Sequence, residues 1–174
     1  MPSDKITIQV YRLRVKLAHD KRTYRDILIC ENQTFETLHK IIYQAFDREE
    51  EHLYCFTIKK IMAGGAELKK LMRSLGARVL NKRRYETIEI SCPECAKDKR
   101  YNANEVFNAA KTKIQETNLE LKQKFEYLFD FGDEWRHEIQ VMEFLPIEKD
   151  KQYPQIVKIN GVSPEQYLDC DEDE

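Results

Sequence analysis

A chain of 174 residues with 41% hydrophobic content can bury an ordinary core without disulfide or metal staples, so a single domain over residues 1–174 is expected. Its charged fraction is 34% but its formal net charge is only -2, which predicts an evenly charged, soluble surface and argues against wholesale nucleic-acid binding. Five cysteines, with only Cys92 and Cys95 close together, exclude a secreted disulfide framework. No apolar run is long enough to span a bilayer, and MPSDKITIQV lacks the layout of an export signal, so a cytoplasmic protein with no membrane partner is expected.

Ile6 to Leu17 alternate as a strand, with an offset between Val10 and Leu13 that predicts a bulge near Tyr11. After a polar reversal, Tyr24 to Cys30 read as a second strand pairing antiparallel with the first. Thr34 is the expected N-cap of a helix with Glu36 in its first turn; Phe35, Leu38, Ile41, Ile42, Ala45 and Phe46 form its apolar stripe. His39 lies at the edge of that stripe and reads as a partly buried helical histidine rather than a ligand. The acidic run from Asp47 to Glu51 ends the helix, and His52 to Ile58 form a strand with His52, Tyr54, Phe56 and Ile58 on one face. Strand, strand, helix, strand is the order of β-grasp folds.

Beyond Gly64 and Gly65, a short helix is expected on Leu68, Leu71, Met72 and Leu75. Tyr85 to Ile90 read as a strand running into Cys92, and a second covering helix is expected over Asn104 to Gln115. Phe125 to Met142 predict a β-hairpin. Phe125, Tyr127 and Phe129 share a face on one arm, Trp135, His137, Ile139 and Val141 on the other, and Gly132 with Asp130 and Asp133 supplies the turn. The chain then carries Pro154, Gly161 and Pro164 and closes in an acidic tail expected to fray near residues 165–174. The expected fold is therefore α+β: a mixed, largely antiparallel sheet packed by two or more helices.

Asp130-Phe131-Gly132 matches the metal-binding tripeptide of protein kinases, but the glycine-rich and catalytic loops of a kinase are missing. The candidate binding surface is instead His52, Tyr54, Asp130, Asp133, Trp135 and His137. If the strand after His52 lies beside the hairpin, two imidazoles and two carboxylates converge, which is enough for metal binding or proton transfer. A metal-dependent hydrolase using His52, Asp130, Asp133 and His137 is thus one alternative to a binding module for a protein or small ligand. The structural alternative makes the two aspartates turn formers and the histidines satisfied core groups. Cys92-Pro93-Glu94-Cys95 supplies half of a zinc site, for which His52, His137, Cys55 or Cys170, or the same pair from another subunit, are possible completers. A redox role is disfavoured because a reactive CxxC opens a helix after a strand, whereas Pro93 reads as part of a charged loop. Lys69, Lys70, Arg73, Arg78, Lys82, Arg83 and Arg84 form the one concentrated basic segment, the minority reading of which is nucleic-acid binding.

The block from Tyr127 to His137, YLFDFGDEWRH, together with TFETLHKIIYQAF from Thr34 and HLYCF from His52, resembles the plasmid pRiA-four-b ORF-three-like family over about Ile6 to Met142. Arg78 to Lys113 depart from the family's pattern. The resemblance implies an α+β domain with helices crossing a sheet, an association with mobile elements for some members, and no established general activity.

Overall fold

In a computed structural model, the described residues are 8–61, 85–98 and 106–167. They build one eight-stranded sheet from β1 (Gln9–Leu17), β2 (Tyr24–Cys30), β3 (Tyr54–Ile61), β4 (Tyr85–Ser91), β5 (Val106–Asn108), β6 (Lys124–Phe129), β7 (Trp135–Pro146) and β8 (Gln155–Asn160). The spatial order is β5-β4-β3-β6-β7-β1-β2-β8, antiparallel throughout except for the parallel pair β4 and β5. One eleven-residue helix, α1 (Phe35–Ala45), lies on the sheet, joined by the five-residue α2 (Pro93–Lys97) and a 3₁₀ turn at Ile114–Thr117.

This is a mainly-β fold, which corrects the α+β expectation of two or more helices packed on the sheet. The stretch read as a helix from Asn104 is, over its described part, the strand β5 followed by a tight turn. Val106, Phe107 and Asn108 pair with Glu89, Ile90 and Ser91. Asn108 then draws the backbone inward: its Oδ1 accepts from Ala110 N at 2.9 Å and its carbonyl accepts from Thr112 N and Thr112 Oγ1, both at 2.9 Å. The bond from Ala110 N to the Asn108 side chain competes with helix, and here it wins over the apolar spacing. The helix expected on Leu68 to Leu75 lies outside the described residues. The β-grasp analogy also fails, because β6 and β7 lie between β3 and β1.

The hairpin forms as expected, with Phe129 opposite Trp135 and Phe125 opposite Ile139. Its turn works differently, however: the positive φ values fall on Asp130 (58°) and Glu134 (53°), not on Gly132. The expected bulge also moves. Arg12 pairs with Glu143 while Leu13 pairs with Val141, so the extra residue is Met142 on β7. The offset in β1 instead reflects two apolar faces: Tyr11, Leu13, Val15 and Leu17 point to the main core, and Val10 joins Leu28 and Cys30 on the other side.

Phe35, Leu38, Ile42 and Phe46 bury the stripe of α1 against the sheet, where Phe35 meets Phe56 edge-on at 5.2 Å. The helix begins at Thr34, whose hydroxyl accepts from Thr37 N at 3.2 Å, and Phe35 N and Glu36 N donate to the carbonyls of Thr112 and Ala109. No base lies in its last turn, so Arg25 of β2 supplies the cation, donating from Nε to the Ala45 carbonyl at 2.7 Å. Beyond the Val10, Leu28 and Cys30 cluster, the opposite face of the sheet is charged. There Asp26, fully buried, accepts from Arg14 Nε at 2.7 Å and Arg12 Nη2 at 2.8 Å. The chain up to Tyr167 is docked: Gln166 is buried and its Oε1 accepts from Glu49 N at 2.8 Å. Residues 168–174 lie outside the described residues. No described helix is long and apolar enough to cross a membrane.

Candidate functional site

The helix face that carries the stripe also brings His39 down onto β3 and β6. Its ring stacks on Tyr54 at 3.6 Å with 5° between planes, and its Nδ1 lies 2.8 Å from the Tyr127 hydroxyl. Burial lowers the His39 pKa from 6.5 to about 4, with the charge of Lys40 adding to the effect, so the imidazole is neutral at pH 7. Burial raises both Tyr54 and Tyr127 above the ordinary tyrosine value, so their hydroxyls stay protonated. The Tyr54 hydroxyl is buried and has no hydrogen-bond partner.

His39 and Tyr54 floor a cleft of about 420 Å³ between α1 and the chain entering α2. Glu36 and Lys40 form its helix wall, Glu51, His52 and Leu53 its second side, and Cys92, Pro93 and Glu94 its third. Glu36 is paired with Lys40 at 3.3 Å. Glu51 and Glu94 therefore set the sign of the rim.

The structure divides the residues singled out from sequence. His52 stands at the mouth of the cleft, its Nε2 2.7 Å from the Tyr167 hydroxyl and 3.5 Å from Asp130 Oδ2. Asp130 is also a turn former, Oδ1 accepting from Gly132 N at 2.9 Å and from Asp133 N at 3.4 Å. Asp133 contributes that amide, and its residue is exposed. His137 is buried, its Nδ1 3.1 Å from the Trp135 carbonyl and its ring against Phe46 at 4.9 Å. Burial, helped by the charge of Arg48, lowers its pKa to about 3. His52 and His137 thus border different members of one aromatic row, Phe129 and Tyr127.

Among the described residues, no group of three or more His, Cys, Asp or Glu is placed to hold a metal ion. This leaves the hydrolase set unassembled and Cys92 with Cys95 without completing ligands; Cys170 lies outside the described residues. The Cys pair does open a helix directly after a strand, Cys92 preceding Pro93 at its first position, which corrects the expectation of a charged loop. Its chemistry still opposes reactivity. Both thiols are buried, which keeps them from an outside partner, and burial with the hydrogen bond to Cys92 pushes Cys95 up to about 12. The basic residues Lys69, Lys70, Arg73, Lys82, Arg83 and Arg84 lie outside the described residues.

Sequence reasoning missed Arg48 and Tyr127. Arg48 is a lone base in an acidic run and reads as solvated, yet it is buried with its guanidinium 3.7 Å from the Trp135 ring centroid. Tyr127 alternates like a plain core aromatic. The available signal was its hydroxyl, since a tyrosine on an inward face requires a polar partner, and His39 is that partner.

These features define a mainly-β sheet protein with helix α1 clamped over a polar-aromatic floor. The chain belongs to the plasmid pRiA4b ORF-3-like protein family, whose model matches residues 9–171. It is similar in fold to a protein of unknown function from Methanosarcina mazei Go1, known from its crystal structure, with a TM-score of 0.65 and 20% identity over 92% of this chain and 74% of that one. No curated protein matches it in sequence.

Proposed function

We propose that this family member is a binding module whose cleft between α1 and Cys92 takes a cationic group, an amine or guanidinium carried by a small molecule or peptide segment. The observation that carries this reading is the stacked His39–Tyr54 floor with its unpartnered Tyr54 hydroxyl. Aromatic faces attract cations, the Glu51 and Glu94 carboxylates add to that attraction, and a hydroxyl without a partner gains a full hydrogen bond on binding. Binding is favoured over catalysis by the histidine of the cleft floor, His39. A general base works best with a pKa near the operating pH, and His39 at about 4 lies well below it.

Titration with agmatine, followed by backbone amide shifts, tests the reading. Saturable shifts are expected at His39, Leu53, Tyr54 and Glu94, with Tyr54→Phe weakening the affinity about tenfold through loss of one hydrogen bond. Shifts scattered over the charged outer face of the sheet, or equal binding of uncharged pentanol, would discard it.

A further inference from the structure

Behind the cleft, the chain after β8 crosses the C-terminal end of α1 as a strap. Ser163 Oγ donates to the Phe46 carbonyl at 2.7 Å, Gln166 holds Glu49 and Glu50 by their amides, and the Pro164 carbonyl accepts from Arg48 Nη1 at 3.1 Å. That last bond is the one hydrogen bond the Arg48 side chain makes among the described residues. Its Nε and Nη2, the edge of the guanidinium that reads oxyanions two-pronged, are buried without a partner although Arg48 is only 6% exposed. The same is true of Trp135 Nε1, on the ring over which Arg48 lies, and of His137 Nε2, two positions along the same face of β7. Asp47 acts on Arg48 through space and is itself exposed.

The hydrogen-bonding character of these groups specifies a complement. Arg48 Nε, Arg48 Nη2 and Trp135 Nε1 are donors. His137 gives its Nδ1 proton to the Trp135 carbonyl and is neutral at pH 7, so its Nε2 carries a lone pair and is an acceptor. A water offers two lone pairs to three donors and leaves the guanidinium charge uncompensated. A carboxylate offers about four lone-pair sites and one negative charge, matching one guanidinium, whereas a phosphate dianion brings excess charge into a buried place. An adjacent hydroxyl on the same molecule donates to His137 Nε2.

We propose that Arg48, Trp135 and His137 form a binding site for a small 2-hydroxycarboxylate beneath the strap, the carboxylate on Arg48 and Trp135 and the hydroxyl on His137. The site shares no residue with the cleft lining and stands independently of the cationic ligand proposed there. Half-buried Trp135, with the exposed His19 ring 6.1 Å away, forms its outer edge.

Trp135 is the only tryptophan in the chain, so its indole N–H gives a single resonance that reports the site in the intact wild-type protein. Titration with glycolate at pH 7 and constant ionic strength is expected to shift that resonance saturably, with acetate binding about tenfold more weakly for want of the hydroxyl and with phosphate and chloride without saturable effect. Arg48→Lys keeps the charge but loses the fork, and is expected to abolish the glycolate response. If that variant does not fold, Trp135→Phe keeps the aromatic face and removes the donor, and its thermal stabilisation by glycolate is expected to fall well below that of wild type. No saturable shift with glycolate, equal binding of acetate and glycolate, an equal response to chloride, or an undiminished response in whichever variant folds would overturn the proposal.

Discussion

His39 and His137 are buried imidazoles whose folded pKa values, about 4 and about 3, lie below their ordinary 6.5. Between pH 6.5 and 4 the unfolded chain therefore binds protons that the folded chain refuses. The contribution of each is complete above 6.5 and is lost as pH falls toward the folded value. Stability is expected to drop by about 1.4 kcal/mol per histidine for each pH unit in that window, roughly 2 kcal/mol each by pH 5. Urea unfolding at pH 7, 6 and 5 measures the slope, and His137→Leu should remove about half of it; a flat profile would contradict the burial of both rings. Asp26 works in a lower window. Burial pushes its carboxyl up, but the hydrogen bonds from Arg14 and Arg12 outweigh burial and hold it below its ordinary 3.8. Its contribution is present above 3.8 and fades as pH falls through the lower folded value. Asp26→Asn leaves the two arginines facing a neutral amide, and is expected to cost about 2 to 4 kcal/mol at pH 7. The cost should shrink toward pH 3, measured by urea midpoint at both pH values.

The hairpin β6–β7 shows how an element is legible while its chemistry is not. Alternation of Phe125, Tyr127 and Phe129 against Trp135, His137 and Ile139 foretells two arms, because every inward position is apolar or aromatic. Gly132 marks the reversal but does not make it. Asp130 does, adopting φ 58° and bonding the Gly132 amide at 2.9 Å. Asp130→Ala is accordingly expected to cost about 1 to 2 kcal/mol, from the lost bond and from an alanine in left-handed backbone. Gly132→Ala should cost less, about 0.5 kcal/mol, because φ there is not positive and a Cβ meets only Asp130 Oδ1 at 3.3 Å. Thermal melts that rank the two variants the other way would return the turn to Gly132. The mistaken helix at Asn104 has the converse cause: spacing of Val106, Ala109, Ala110 and Ile114 mimics a stripe, while the deciding bonds reach Asn108 from Ala110 N and Thr112 Oγ1.

The sheet as a whole is held together by β7, which runs between β6 and β1 and so joins the N-terminal pair to the strands that follow α1. Ile139 sits at that junction, fully buried, opposite Val15 on one side and Phe125 on the other. Ile139→Ala is expected to cost about 2 to 4 kcal/mol. Stopped-flow refolding, expected in the millisecond-to-second range for pairing this distant in sequence, should be slowed by it if β7 docks before the barrier. An unchanged refolding rate with faster unfolding would put β7 after the barrier. What the amino-acid sequence determined alone was local: the N-cap at Thr34, the stripe of α1, the alternation of β1, β2, β3 and β4, and the two arms of the hairpin, along with family membership through its motifs. Each depends on neighbours within a few residues, where periodicity and side-chain chemistry act directly. The tertiary structure decided the rest: the strand order, the addition of β8 at the edge of β2, the meeting of His39 with Tyr127 across 88 residues, and the strap that buries Arg48. Those outcomes are chosen by packing between distant segments, and no local pattern names the partner a buried polar group will find.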